Sequence, residues 1–257
     1  MEPQRLNSIQ GWEWIKQGFA LFMKAPLLWI VILMIGLIAT VVISNVPVVG
    51  EPLVSLIMPV ILVGLMTGCR SLEQDEELEL AHLFSGFYRH TTHLVTLGGI
   101  SLVSQFMILG VMMLLGGADL VSFLMSGQPD PDPEMVVKAV AGAGLAVMVG
   151  AVLFSMLMMA MQYAPLLVFF NDIAPVQAMK LSFRAFTHNI GPMLVYFTTF
   201  MILAFLASMP AFLGWLVLLP LVFTSLYTSF RNIFPAAQEA SDIPEESSVS
   251  DSEDGTF

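Results

Sequence analysis

The chain has 257 residues, 57% of them apolar and only 11% charged, and a mean hydropathy of +0.83. Soluble domains carry about 25% charged residues. Several apolar runs here reach the roughly 18–20 residues that cross a hydrocarbon core, so composition excludes an ordinary soluble domain and predicts a polytopic, all-α integral membrane protein. The net charge of −11 is largely local, because seven acidic residues and no basic one lie in 239–257. No nucleic-acid partner is expected, and a single cysteine, Cys69, excludes an intrachain disulfide framework.

Residues 1–26 read as an N-terminal segment carrying "GWEWIKQGFALFMKAP". Trp12, Ile15, Phe19 and Phe22 step by 3, 4 and 3, which is one apolar stripe on a helix, with Glu13, Lys16, Gln17 and Lys24 on the opposite face. The apolar run that follows is too long for a signal peptide and has no small-x-small cleavage site, so the first span is expected to be retained. Spans are predicted at 27–49 and 53–69, joined by the tight link "NVPVVGEP". An acidic stretch, "EQDEELE" (73–79), precedes a short second amphipathic segment with Leu80, Phe84 and Phe87 on one side and His82, Ser85 and Arg89 elsewhere.

The third span is predicted at 94–117, with Gly98, Ser101 and Gln105 on one stripe, and residues 118–135 are expected to form a loop because their Pro-Asp repeat cannot continue a helix. The fourth span, 138–164, carries the small-residue ridge Gly142, Ala146 and Gly150, which would let another backbone approach closely. A third amphipathic segment follows, with Val176, Met179, Phe183, Phe186 and Ile190 on its stripe and Gln177, Lys180, Arg184 and His188 opposite. Spans at 194–209 and 211–230 complete a six-helix domain over 27–234. The acidic tail 235–257 is expected to be disordered and solubilising.

Of nine Lys and Arg residues, only Lys138 falls between spans on the side opposite the termini. The positive-inside rule therefore predicts both termini in the cytoplasm. Four Phe-x-x-Phe pairs occur, and three of them precede an odd-numbered span with a basic residue or histidine five positions after the first Phe: Lys24, Arg89 and His188. Phe19, Phe22, Phe84, Phe87, Phe183 and Phe186 are thus candidate interfacial anchors, lying along the membrane plane with cations toward an anionic leaflet. Each even-numbered span carries a proline, Pro59, Pro165 or Pro220, and eleven residues separate Pro59 from Arg70 and Pro220 from Arg231. The chain reads as three units, about 12–70, 78–172 and 176–231, each an amphipathic helix followed by two spans. The prolines with Gln105 are candidate hinge or path residues; packing kinks and an interhelical hydrogen bond are the plainer alternatives.

The segments "GWEWIKQGFALFMKAP", "GLMTGCRSLEQDEELELAHLFSGF" and "YAPLLVFFNDIAPVQAMKLSFRAFTHNIGPMLVY" resemble a family of uncharacterised inner-membrane proteins of Gram-negative bacteria, over about residues 10–232. More distantly the chain is similar to the YciC-like proteins and to the membrane domain attached to some glycerophosphodiester phosphodiesterases. The resemblance implies a six-span, multi-pass inner-membrane protein and no activity, since the phosphodiesterase catalytic domain is not present.

Catalytic motifs for nucleotide binding, zinc proteolysis or serine hydrolysis do not occur. His90 and His93 have helical spacing that would suit two metal ligands, with 73–79 upstream, but no third ligand is fixed. Met156, Met158, Met159 and Met161 with Cys69 offer soft sulfur, yet Met also fills gaps in packed helices. No Asp, Glu, Lys or Arg lies at the centre of a predicted span, which argues against a proton relay. The expectation is a non-catalytic membrane protein without cofactor, in contact with lipid or with a second copy or membrane partner. A small-solute transporter or channel is the alternative.

Overall fold

The computed structural model describes residues 2–126, 132–209 and 212–235. The tail beyond residue 235, expected to be disordered, lies outside the described residues. Among them no strand occurs, and six helical stretches are long and apolar enough to cross a membrane: Pro26–Ser44, Gly50–Glu73, Thr91–Phe123, Gly144–Asn171, Ile190–Ser208 and Trp215–Ile233.

Helix α1 (Gln10–Lys24) runs into α2 (Pro26–Ser44), which begins with its proline in the first turn, where the missing N–H costs nothing. A tight turn leads to α3 (Gly50–Glu73), which contains Pro59. A 3₁₀ turn, Leu80–Phe84, and the single turn α4 (Ser85–Tyr88) form the middle amphipathic segment. Helix α5 (Thr91–Met112) passes through a π-type kink at Met113–Gly117, where Gly116 has φ +89°, into α6 (Ala118–Ser126). The expected loop at 118–135 is therefore partly helix, and α7 (Pro133–Val140) begins directly after the Pro-Asp repeat with Asp132 accepting from the Glu134 N–H.

The fourth span is not one helix. It consists of α8 (Gly144–Met161) and α9 (Ala164–Asn171), and Pro165 stands in the first turn of α9 rather than inside a continuous helix. Gly142 is outside α8 with φ +86°, a turn residue in a conformation that suits glycine, so the expected three-residue ridge is reduced to Ala146 and Gly150. Both are buried: Ala146 faces Gly117, and Gly150 lies against Met112. Helices α10 (Pro175–His188), α11 (Ile190–Ser208) and α12 (Trp215–Ile233) complete the chain.

The amphipathic segments link the hairpins head to tail. The middle segment packs on α3, α10 packs on α8 and α9, and α1 packs on α12 and α11. Each thus covers the second span of the preceding hairpin, and the first closes the circle on the last. Two glycines allow the closure: a Cβ at Gly11 would collide with the Pro192 carbonyl, and one at Gly18 would stand 2.6 Å from the Ser225 nitrogen. Residues 2–9 add a seam. Gln4 N–H donates to the Ile233 carbonyl at 2.9 Å, and the buried Asn189 accepts from Leu6 N–H and donates to the Gln4 carbonyl.

The core lies toward the side of the bundle that carries both ends of the described chain. Its residues come from the starts of α2, α5 and α11 (Trp29, Leu94, Leu97, Met193), from α9, and from the later turns of α3 and α12. Here α3 and α12 are central, with 44% and 56% of their spans buried against 11–17% in the other four. At the ends of these two helices Arg231 pairs with Glu73, Tyr227 donates to the Glu73 carboxylate at 2.7 Å, and Gln17 accepts from Arg231 at 3.1 Å. Lys24 donates to Asp75 and to the Leu72 carbonyl, each at 2.6 Å; that hydrogen bond, and then the charge itself, hold the Asp75 carboxyl below its usual range. Toward the opposite face the helices expose large apolar side chains, including Val42, Phe106, Met107 and Phe205.

Candidate functional site

In that more open half, α3, α5, α8 and the start of α9 line a groove of about 550 Å³. Glu51 and Ser55 come from the first turns of α3, Ser101 and Gln105 from one stripe of α5, and Met158, Met161 and Pro165 from the α8–α9 junction. The rest of the lining is apolar, with Phe106, Leu109 and Met58 prominent. Ser101 is buried and accepts from the Gln105 amide at 3.2 Å, an i, i+4 bond that holds the amide along its own helix. Three of the four candidate path residues, Pro59, Pro165 and Gln105, meet here, whereas Pro220 is buried within α12 and takes no part. Met158 and Met161 share the groove, but Met156 and Met159 do not line it and Cys69 is buried in the core.

The α8–α9 break beside the groove is held by a residue that sequence reasoning passed over. Ser182 of α10, fully buried, donates to the Met159 carbonyl at 2.7 Å and accepts from the Tyr163 N–H at 3.0 Å. One hydroxyl thus substitutes for a helical bond that the break interrupts, as a backbone at membrane depth requires. Tyr163 also shares a 2.9 Å hydrogen bond with Ser229 of α12.

The candidate anchors divide. Phe19, Phe84 and Phe87 are exposed, at 46%, 56% and 44%, and Phe19 continues through Met23 and Leu27 into the exposed face of α2. Phe183 and Phe186 are half-buried, and Phe186 packs on Phe197 of α11. Phe22 is a correction: at 3% exposure it belongs to the core and cannot reach lipid. The face of α1 that packs inward is Gly11, Trp14, Ile15, Gly18 and Phe22, while Trp12, expected on the same stripe, is exposed.

These helices and their exposed apolar flanks define an all-α integral membrane protein with six candidate spans. Over 256 aligned residues the chain is 27% identical to a Burkholderia thailandensis protein named as a probable inner membrane protein, covering 91% of this chain and 94% of that protein. No family model matches the chain, and no solved structure matches it. The likeness to YciC-like proteins and to the phosphodiesterase membrane domain rests on the quoted segments alone.

Proposed function

We propose that this chain is a non-catalytic, multi-pass protein of the bacterial inner membrane that holds an acyl chain of a membrane lipid in the groove between α3, α5 and α8. The groove carries this reading. Its volume falls within the roughly 300–1,000 Å³ of ligand pockets. It is apolar along most of its length, and it lies in the half of the bundle whose helices expose apolar side chains to the bilayer. An acyl chain gains from such a lining, while Glu51 and Ser55 at one end offer polar contacts for a headgroup. The name of the Burkholderia relative supports the compartment. The gathering of eight of nine Lys and Arg residues on the terminal side supports cytoplasmic termini. Among the residues that line the groove Glu51 is the single ionisable one, and with no second acid or base beside it the groove supplies no acid–base pair for catalysis.

The test is lipid retention. Native mass spectrometry of the purified chain should show bound phospholipid, and Leu102→Trp, which fills the groove, should strip most of it. Ile202→Trp, on the exposed flank of α11, should not. Equal retention in the two variants would overturn the reading. The placing of Pro59, Pro165 and Gln105 on one groove favours a solute path as the second reading. Such a path must open the packing of Val63, Met66, Leu97, Leu166 and Leu167, none of which is exposed. Labelling of Gln105→Cys by a membrane-impermeant thiol reagent in cells would support the path; protection would support the lipid.

A further inference from the structure

Three groups with metal-ligand chemistry converge on the terminal side, away from the groove. His90 and His93 stand at the start of α5, and Asp172 follows the last residue of α9. One ligand atom from each lies within 4.8 Å of those of the other two. His90 Nδ1 is 3.3 Å from Asp172 Oδ1. That separation is longer than the usual 2.7–3.2 Å of an N–H···O bond. It equals the edge of a tetrahedron whose corners lie about 2.0–2.1 Å from a zinc ion, roughly 3.3–3.4 Å. The His93 ring stacks beside that of His90, with centroids 6.2 Å apart and an interplanar angle of 14°.

The local backbone is shaped to bring these groups together. His90 and Asp172 both take left-handed conformations, with φ of 57° and 52°. That region is uncommon for residues with a Cβ, although His and Asp tolerate it better than most. The His90 ring is only 17% exposed and rests edge-on against Phe169, at 6.3 Å between centroids, which limits its rotation. Among the described residues none of the upstream carboxylates 73–79, Glu76 and Glu77 included, joins His90 and His93 as the third member of a ligand group. Glu73 is paired with Arg231, Asp75 with Lys24, and Glu79 caps the 3₁₀ turn against His82. Asp172, from the other end of the same unit, takes that place.

We propose that His90, His93 and Asp172 form a site for one divalent first-row transition ion, with zinc as the ion for which the spacing fits. Two imidazoles and one carboxylate suit zinc or iron(II); magnesium and calcium call for all-oxygen sets. Three protein ligands leave a fourth tetrahedral position to water. Arg89 Nε donates to His90 Nε2 at 3.1 Å. With an ion on Nδ1, Nε2 carries a proton, so the exposed Arg89 side chain turns away into solvent. The bound ion joins the first turn of α5 to the end of α9 and so ties the third and fourth spans together on the terminal face.

The test uses the full chain, purified in detergent through a tag without histidines and stripped with EDTA. Zinc is titrated against a chromophoric chelator, and cobalt(II) is followed by its visible bands. One equivalent should bind, with a four-coordinate cobalt spectrum. His93→Ala and Asp172→Asn should each weaken binding at least about tenfold. His188→Ala, on α10, should leave it unchanged. Both ligand changes fall on exposed side chains, and unaltered thermal unfolding in EDTA checks that the variants are folded. Equal affinity in wild type and either folded ligand variant would overturn the site, as would binding of less than one equivalent or a six-coordinate cobalt spectrum.

Discussion

Gly18 shows how much one missing methyl group decides in this fold. A Cβ there would stand 2.6 Å from the Ser225 nitrogen and 2.7 Å from its Cα, and neither backbone atom can move without shifting α12. Gly18→Val is therefore expected to lower stability by about 1–3 kcal/mol through overpacking. Gly110→Ala, inside α5 with nothing within 4 Å, should be neutral or raise stability by up to about 1 kcal/mol through helix propensity. Thermal unfolding of both variants in the same detergent separates them; a wild-type midpoint for Gly18→Val would mean that α1 does not sit this close to α12. The same residue explains why the inward face of α1 was hard to read. The stripe Trp12, Ile15, Phe19 and Phe22 is apolar, but the true packing face takes only Ile15 and Phe22 from it and adds Trp14, leaving Trp12 and Phe19 exposed. In a bilayer the buried and the exposed apolar residues are both satisfied, the first by protein and the second by lipid, so hydrophobicity does not separate inside from outside. Small residues carried the signal, and Gly11 and Gly18 were the ones to weigh.

At the scale of elements, the six spans were legible because hydrophobic length is a property of each segment alone. The break between α8 and α9 was not, although Pro165 marked its neighbourhood. Proline explains why a helix is interrupted, but not where the freed groups go. That depends on Ser182, 19 residues beyond Tyr163 and on another helix. Only in the fold does its hydroxyl reach both Met159 and Tyr163. The groove was half legible for a related reason: Gln105, Pro59 and Pro165 stood out as unusual at membrane depth, but their meeting depends on how α3, α5 and α8 pack. Ser182→Ala should leave the Tyr163 N–H and the Met159 carbonyl buried without this partner, a loss of about 1–3 kcal/mol. Pro165→Ala in the same background should recover part of it by letting the α8 ladder run on, so the two changes are coupled. Additive losses from these variants in a thermal unfolding series would separate the serine from the break.

For the molecule as a whole, the contacts form a circle rather than a row. The amphipathic segments rest on α12, α3 and α9 in turn, and the first residues of the described chain are hydrogen-bonded to the last turn of α12. The order in which the three hairpins are joined should then matter less than the closing of the ring. A permuted chain can test this directly. It begins at residue 77, between α3 and the 3₁₀ turn, connects residue 235 to residue 3 through a short Gly/Ser linker, and ends at residue 76. The new ends fall on the same face as the old ones, so every span keeps its direction and the cations stay on their side. The Lys24–Asp75 and Glu73–Arg231 pairs are all retained. This permutant should insert, purify as a single species and unfold within a few degrees of the native chain. A second permutant opened at residue 126 uses the same linker but places its ends on the opposite face, three spans from either original terminus. Its first segment must enter against the positive-inside bias, and it should be degraded or inserted in mixed orientation. Loss of the first permutant alongside normal accumulation of the native chain would mean that α1 must be made first, ahead of the surface it covers. The ring would then describe the finished packing and not an interchangeable order of units.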